Sequence, residues 1–421
     1  MSSIPVAYKS HIATLLISLS MLAVVCSIVI FPERSFEASL SGLNLWWKLI
    51  MPALLPFFIL AEVAGALGVF HAWGTLISPL TKRLLGLSGT SGWAMAFGWS
   101  LGYPAGAKIT AELKQQGWIG HEEGKRLLAY SYVASPIVLF GIVATGLLNQ
   151  PHLGWYLWLI QCLAFLGMLL FSYTRPTAPS NGTLSAPEKG NGSTSLLSQM
   201  LHAAECARRD DGRSLGRLLG DSVTRSVQAL FMIGGTIMLF SVIVAAAEQV
   251  SLSWMAPLLS VQQIEWLQSG FHLILAGTLE PHLASASLVT SSLPIAWQLA
   301  LVSAIWAWGG LAFHAQVHSF IQGTGLPYRF FFFFKLLQAL LALGLGLLLW
   351  KPYTSLIAFV NRSSTALVLS DRPVPPPAEA GSFHIQLWEL WGWQVSMLAS
   401  SCVLLAVIGW LCHRLSRSRQ G

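Results

Sequence analysis

A cation stands beside a helix-breaking run in a strongly apolar part of this chain. Gly102, Pro104 and Gly106 precede Lys108, and two glycines with a proline continue a helix only at a high free-energy cost. Backbone N–H and C=O groups that are freed at membrane depth need partners inside the protein or in a cavity. We therefore predict that residues 102–108 are non-helical and buried, and that Lys108 opens a helix over residues 109–116.

This arrangement predicts an anion site. The free N–H groups at a helix N-terminus and a nearby ammonium group both attract negative charge. We assign Gly102, Pro104, Gly106 and Lys108 to solute binding. The alternative is a lysine whose long side chain only reaches the membrane surface.

Further polar residues lie in apolar segments, where an ionisable group is costly and its presence indicates function. Glu62 and Glu280 are candidates for coupling or ion binding. A structural partner such as Lys108 would explain Glu62 equally well, and Glu280 fits a position at the water interface. Ser131 and Ser135 offer hydroxyls either to a solute or to the carbonyls of their own helix.

Histidines raise the question of a metal. His314 and His318 are four residues apart, on one face of a helix, and with Glu280 and His282 they could supply ligands. Ala315 stands where the H-E-x-x-H zinc pattern requires Glu. We interpret His314 as an anion donor or a proton-linked group and predict no metal site. No nucleophile and base occur in a recognisable arrangement, so we predict neither an enzyme nor a cofactor.

Composition places these residues in a membrane. Of 421 residues, 54% are hydrophobic and 10% are charged, against roughly 25% charged in soluble domains. The mean hydropathy is +0.62. The net charge of +7 comes from basic residues in loops beside apolar segments, which is how topology signals are distributed. We therefore exclude nucleic acid as a partner and predict a multi-pass integral membrane protein.

The apolar segments divide the chain into two halves. We expect spans or broken spans over residues 11–31, 43–70, 89–108, 127–148, 155–173, 223–247, 264–279, 295–313, 328–350 and 391–411. The predicted units are an N-terminal helix and loop (1–42), a first half (43–173), a polar linker (174–222), a second half (223–352), a proline-containing loop (353–389) and a C-terminal helix with a basic tail (390–421).

Basic residues predict the orientation. Arginines crowd the end of the linker and the C-terminal tail, so the positive-inside rule places both in the cytoplasm. Four full crossings between the linker and the proline-containing loop would return the chain to the cytoplasm. One segment of the second half should therefore be re-entrant.

A constant offset relates the two halves. Gly102 and Gly310 are 208 residues apart (310 − 102), and the same offset sets Gly117 against Gly325 and Lys108 against Gln316. Interrupted apolar segments at corresponding positions of two halves indicate a transporter binding site. His314 and Gln316 therefore join the predicted solute contacts.

Four motifs in order resemble a known family. Residues 55–62 (LPFFILAE), 102–108 (GYPAGAK), 131–136 (SYVASP) and 309–317 (GGLAFHAQV) are similar to those of YlbJ-type sporulation integral membrane proteins, whose core is the nucleoside-recognition Gate domain. The resemblance covers about residues 43–342. It implies an architecture like that of concentrative nucleoside transporters, a role in endospore formation, and transport of dipicolinate, a small aromatic dianion. The location that it implies is the cell membrane or the forespore membrane.

The predicted fold is an all-α polytopic membrane protein with an inverted-repeat, transporter-like core of discontinuous helices and re-entrant hairpins. The predicted function is alternating-access transport of a small anionic solute. The alternatives are a non-transporting membrane scaffold and a permease for nucleosides or metal ions. The expected partners are the solute and the lipid bilayer, and assembly into a homo-oligomer is left open.

Overall fold

The computed structural model describes residues 6–102, 105–173, 196–255 and 260–367. Within these ranges every regular element is a helix, which confirms the all-α prediction. The α-helices are α1 (Val6–Ile30), α2 (Pro32–Leu45), α3 (Met51–Ala66), α4 (Val69–Leu80), α5 (Gly89–Leu101), α6 (Ala105–Gln115), α7 (His121–Tyr130), α8 (Leu153–Tyr173), α9 (Leu196–Asp211), α10 (Leu215–Met255), α11 (Val261–Leu279), α12 (Pro281–Val289), α13 (Ile295–Trp308), α14 (Gly310–Ile321), α15 (Tyr328–Leu348) and α16 (Trp350–Leu367). Three π-helical segments join them: Trp46–Ile50, Thr81–Leu85 and Val138–Leu147.

Five helices of the described chain are long and apolar enough to cross a membrane. They are Pro32–Ala66, Leu153–Phe171, Leu215–Ser251, Ile295–Ile321 and Tyr328–Leu348. A span needs about 20 apolar residues, so the chain is a multi-pass integral membrane protein. The second half contributes three of these helices, and the broken pair α11 and α12 is not among them. The number of crossings in the second half, the re-entrant segment and the sidedness stay predictions.

Four of the helix interruptions in the described chain are important for the site. They occur at Gly102 between α5 and α6, at residues 131–135 after α7, at Glu280 between α11 and α12, and at Gly309 between α13 and α14. The predicted break at Gly102 is confirmed, with φ 73°.

The prediction that the whole of residues 102–108 is non-helical was wrong. Helix α6 begins at Ala105, four residues before the predicted start, and the Ala105 N–H donates to the Gly102 carbonyl at 3.1 Å. Early helix formation satisfies the backbone groups that would otherwise be free. Tyr103 and Pro104 lie outside the described residues.

The offset of 208 residues aligns two helix-break-helix units. It carries α5 and α6 onto residues 297–309 and 313–323, and the structure has α13 and α14 at Ile295–Trp308 and Gly310–Ile321. In both halves another interrupted pair precedes the unit, α3 with α4 and α11 with α12. The helix that follows each unit differs between the halves. The chain breaks after α7, whereas α15 is continuous.

Part of the predicted polar linker is helical. Helix α9 packs on α4, and an added Cβ at Gly68 would lie 2.6 Å from the Ala204 Cα, so this approach requires glycine. Between α9 and α10, Arg213 pairs with Asp211 at 2.6 Å and Asp221 at 3.1 Å. The guanidinium holds the pKa of Asp211 below its usual range. The linker is therefore partly docked. The predicted C-terminal span, residues 391–411, lies outside the described residues.

Candidate functional site

The first two interruptions touch each other through glycines. An added Cβ at Gly102 would lie 2.8 Å from the Ser135 Cβ. Added Cβ atoms at Gly98 and Gly106 would collide with the Ser131 carbonyl oxygen. Helices α5 and α6 therefore pack directly on the unwound segment after α7, and only residues without a side chain permit that approach.

The second two interruptions make an equivalent contact. Gly310 has φ 70°, and an added Cβ there would lie 2.7 Å from the Leu279 carbonyl oxygen and 2.8 Å from Pro281 Cδ. Each half of the protein thus brings one helix break against another. Helices α6 and α14 also pack on each other, which joins the two pairs of breaks within one region.

Glu280 and His282 form a buried pair at the second of these contacts. Both side chains are nearly inaccessible, at 2% and 3% exposed, and the Glu280 Oε1 to His282 Nδ1 distance is 2.7 Å. The other Glu280 oxygen accepts from the Leu283 N–H at 2.7 Å and so caps the N-terminus of α12. His282 Nε2 is buried without a hydrogen-bond partner. Glu280 is therefore not at the water interface, and its neighbour carries an unused ring nitrogen.

His314 is buried at the same end of the second half. Its Nδ1 lies 2.9 Å from the Tyr328 hydroxyl, and its Nε2 lies 3.1 Å from the Trp308 carbonyl oxygen. That carbonyl directly precedes the break at Gly309, so the imidazole satisfies a group that the interruption frees. Both ring nitrogens are engaged in this arrangement.

Lys335 is a fully buried cation at the first pair of breaks. Its Nζ donates to the Tyr132 carbonyl, which lies in the unwound segment after α7, and to the Gln338 Oε1 at 2.8 Å. The rings of Tyr132 and Phe334 lie 5.2 and 5.7 Å from Nζ. Among the described residues no carboxylate pairs with it. Lys335 thus stabilises an open backbone segment without a counter-charge.

Sequence reasoning missed Lys335. The signal was available, because Lys335 lies inside the predicted span 328–350, and an intramembrane ionisable residue is a functional candidate by default. Its pairing with the Tyr132 carbonyl, 203 residues away in sequence, could not be read from either segment alone.

A phenylalanine links the two polar ends of this region. The Phe331 ring is fully buried, 4.8 Å from the Tyr132 ring and 5.2 Å from the His314 ring. We call the set Tyr132, His314, Phe331, Lys335 and Gln338 the central cluster. It combines a cation, hydrogen-bonding groups and aromatic rings where the broken helices meet.

Several predicted site residues belong to this region. Gly102 and Gly106 are buried against the unwound segment after α7, and Ser135 is a buried residue of that segment. Ser131 is fully buried, and its hydroxyl donates to the Leu127 carbonyl at 2.8 Å, so it satisfies its own helix. These residues shape the region that Lys335 enters.

Other predicted residues lie outside the central cluster. Lys108 is exposed, so the expectation that it is buried was wrong. It shares an exposed face of α6 with Glu112, because the alanines and glycine beside it occupy the packed face. Gln316 is half-buried. Glu62 is 36% exposed and lies 4.0 Å from Arg225, so its cationic neighbour is Arg225 and not Lys108.

The described residues do not bring the candidate metal ligands together into one cluster. In the part of the chain that the structure describes, no group of three or more His, Cys, Asp or Glu side chains is placed to hold a metal ion. Glu280 binds a backbone N–H and His282, while His314 binds Tyr328 and a carbonyl.

Comparison with known proteins gives one clear relative. The sporulation integral membrane protein YlbJ of Bacillus subtilis (strain 168) is 33% identical over 350 residues, which cover 82% of this chain and 85% of that protein. No family profile matches the chain, and no solved structure matches it. The identity and its coverage show that this integral membrane protein belongs to the YlbJ family of sporulation membrane proteins.

Proposed function

We propose that this protein transports a small anionic solute across a membrane of the sporulating cell, and that dipicolinate is the first candidate. The observation that carries the proposal is Lys335, a buried cation at a helix break with no carboxylate partner among the described residues. A buried ion is costly unless it is paired. An anionic solute would supply the missing charge.

The surroundings of Lys335 favour a planar aromatic anion. Tyr132 and Phe334 place buried rings beside the ammonium group, and aromatic rings stack on or meet the edges of other rings. The break at Gly102 adds the N-terminus of α6, whose dipole favours negative charge. An aromatic dicarboxylate matches this combination better than an uncharged nucleoside does.

The exposed position of Lys108 moves the anion-selecting role to Lys335. Lys335 donates to the Tyr132 carbonyl. An arriving carboxylate would compete for the ammonium group and free that carbonyl. Such an exchange of partners would link solute binding to a rearrangement of the unwound segment after α7.

The two helix-break-helix units support an alternating-access mechanism. Transporters built from repeats bind their solute where discontinuous helices of the two halves meet. We infer that α3 to α7 and α11 to α15 are Gate-like halves that rock around the central cluster, as in concentrative nucleoside transporters.

Transport by the purified protein tests the proposal. Lipid vesicles that contain the protein would be loaded with unlabelled dipicolinate, and entry of labelled dipicolinate would be compared with entry of labelled nucleoside. We expect exchange of dipicolinate above that of protein-free vesicles, and little nucleoside entry. Nucleoside entry alone would indicate the nucleoside permease, and no entry of either solute by folded protein would favour the scaffold.

A further inference from the structure

A second group of titratable side chains lies in α10, α11 and α12, outside the central cluster. His272 Nδ1 is 2.5 Å from Glu248 Oε1, and His272 Nε2 is 2.8 Å from the Ser287 hydroxyl. Side-chain exposure is 33% for His272 and 15% for Glu248. This pair is therefore partly accessible, whereas the Glu280–His282 pair of the same α11–α12 unit is buried.

The hydrogen-bond partners of the Glu248–His272 pair limit where its protons can lie. The Ser287 hydroxyl donates to the Leu283 carbonyl at 3.0 Å, so its oxygen is left to accept from a protonated His272 Nε2. With that hydroxyl orientation and one further proton between His272 Nδ1 and Glu248, the Glu248–His272 pair has no net charge.

The buried Glu280–His282 pair has one proton fewer than a neutral pair would have when His282 Nε2 is unprotonated. Glu280 accepts from the Leu283 N–H, and one proton lies between its other oxygen and His282 Nδ1. Among the residues that the structure describes, His282 Nε2 has no hydrogen-bond partner. Without a proton on Nε2 the pair has a net charge of minus one, which is costly for buried groups. Binding one proton at Nε2 would neutralise the pair.

The two pairs are in line along the same helices. Val244, Ala276 and Leu283 form a buried apolar cluster, and each is four residues from Glu248, His272 or Ser287. Glu280 is four residues beyond Ala276. His272 and Glu280 are therefore two helical turns apart along α11, about 12 Å, with this apolar layer between the two pairs.

Few of the described residues in the helices around the Glu280–His282 pair are charged. The π-helix Val138–Leu147 and α13 contain no titratable residue, and their segments pack on α12. Helix α14 carries the buried His314 and the exposed His318, and α10 carries Glu248. Helix α2 carries Glu33, Arg34 and Glu37, all exposed. Glu265, in α11, precedes His272 by seven residues.

We propose that the Glu280–His282 pair binds the proton that accompanies the transported anion. This inference rests on the proposed function, because a proton needs an anion to accompany. The proton binds at His282 Nε2 and leaves from the same nitrogen when the halves rearrange. A proton that moves with an anion also lowers the charge that crosses the membrane.

Vesicles with an imposed pH difference separate coupling from transport. With an acidic exterior, we expect wild-type protein to accumulate labelled dipicolinate and to acidify the interior, as read by a trapped pH dye. We expect His282→Gln and Glu280→Gln to retain exchange of internal for external dipicolinate and to lose accumulation at least tenfold. Glutamine at position 280 keeps an oxygen to cap α12. His121→Gln, at an exposed histidine of α7, is the matched control and should retain both activities.

Each other result has a defined meaning. Wild-type exchange without any response to the pH difference would overturn the proton inference and leave the proposed function standing. Accumulation with acidification by both variants would also overturn it. Loss of exchange by both variants, in protein that elutes as a folded species, would place the pair in the anion site and reject the proton role. No exchange by wild type would overturn the proposed function and this inference together.

Discussion

Replacing Lys335 tests the anion site most directly. Lys335→Gln removes the ammonium group from a fully buried position. A hydrogen bond to a charged partner contributes about 1.5–3 kcal/mol, and about 1.4 kcal/mol corresponds to a tenfold change in affinity. We therefore expect dipicolinate to bind roughly ten- to a hundredfold more weakly. Lys335→Arg should also weaken binding, but less, because it keeps the charge while its planar fork does not fit the site of an ammonium group.

Folding has to be separated from binding in this experiment. The substitution leaves the Tyr132 carbonyl and the Gln338 Oε1 without their donor, and each unsatisfied buried group costs about 1–3 kcal/mol. Removal of a buried charge offsets part of that cost. Thermal unfolding of the detergent-solubilised protein should therefore accompany each binding isotherm, and affinities are compared only at temperatures where the variant is folded.

Lys108→Gln is the discriminating comparison. Lys108 is exposed on α6, so we expect its loss to leave dipicolinate affinity within about twofold, which is within about 0.4 kcal/mol. Unchanged affinity in Lys335→Gln together with weakened affinity in Lys108→Gln would refute our reasoning. The anion site would then lie at Lys108, as the sequence alone suggested.

Three further predictions concern the elements that hold the site. Gly106→Ala should destabilise the fold by about 1–3 kcal/mol because its Cβ meets a carbonyl of the neighbouring break, whereas Gly216→Ala, with open space around it, should not; equal thermal midpoints would contradict this. Glu123→Ala should cost at least about 1.5–3 kcal/mol, since the buried carboxylate accepts from a backbone N–H at 2.5 Å and a serine hydroxyl at 2.7 Å at the start of α5; an unchanged midpoint would reject that role. Arg213 lowers the pKa of Asp211, so the ion pair stabilises the fold fully above the unfolded-state value of about 3.9 and this contribution, about 1 kcal/mol or less, is lost as the pH falls through the lower folded-state pKa. Carbon-13 NMR titration of the Asp211 carboxyl should give a midpoint below the usual range, and a normal midpoint would mean that the pair does not persist in solution.

Local chemistry made several features predictable. The break at Gly102 follows from backbone properties of glycine and proline, and the match between α5–α6 and α13–α14 follows from an offset visible in the sequence. The exact start of α6 was not predictable in this way. It depends on whether Ala105 and Gly106 find a surface to pack on, and that surface is the unwound segment after α7.

Partners distant in sequence were the main source of error. Glu62 has Arg225 as its cationic neighbour, and nothing in the segment around Glu62 points to α10. Lys108 and Lys335 both lie in segments that the sequence predicts to enter the membrane. Helix periodicity alone does not say which face of α6 is covered. The exposed position of Lys108 and the burial of Lys335 were therefore not predicted.

The sequence by itself determined the class of this protein, because hydropathy, charge distribution and helix-breaking residues act locally along the chain. It established a multi-pass all-α membrane protein and predicted interrupted helices in both halves of the chain. Tertiary structure decided which interruptions touch, which lysine is buried, and that Glu280 pairs with His282 beside an unused ring nitrogen. Those outcomes depend on close approaches between segments up to about 200 residues apart, where packing and desolvation, and not local propensity, select the partner.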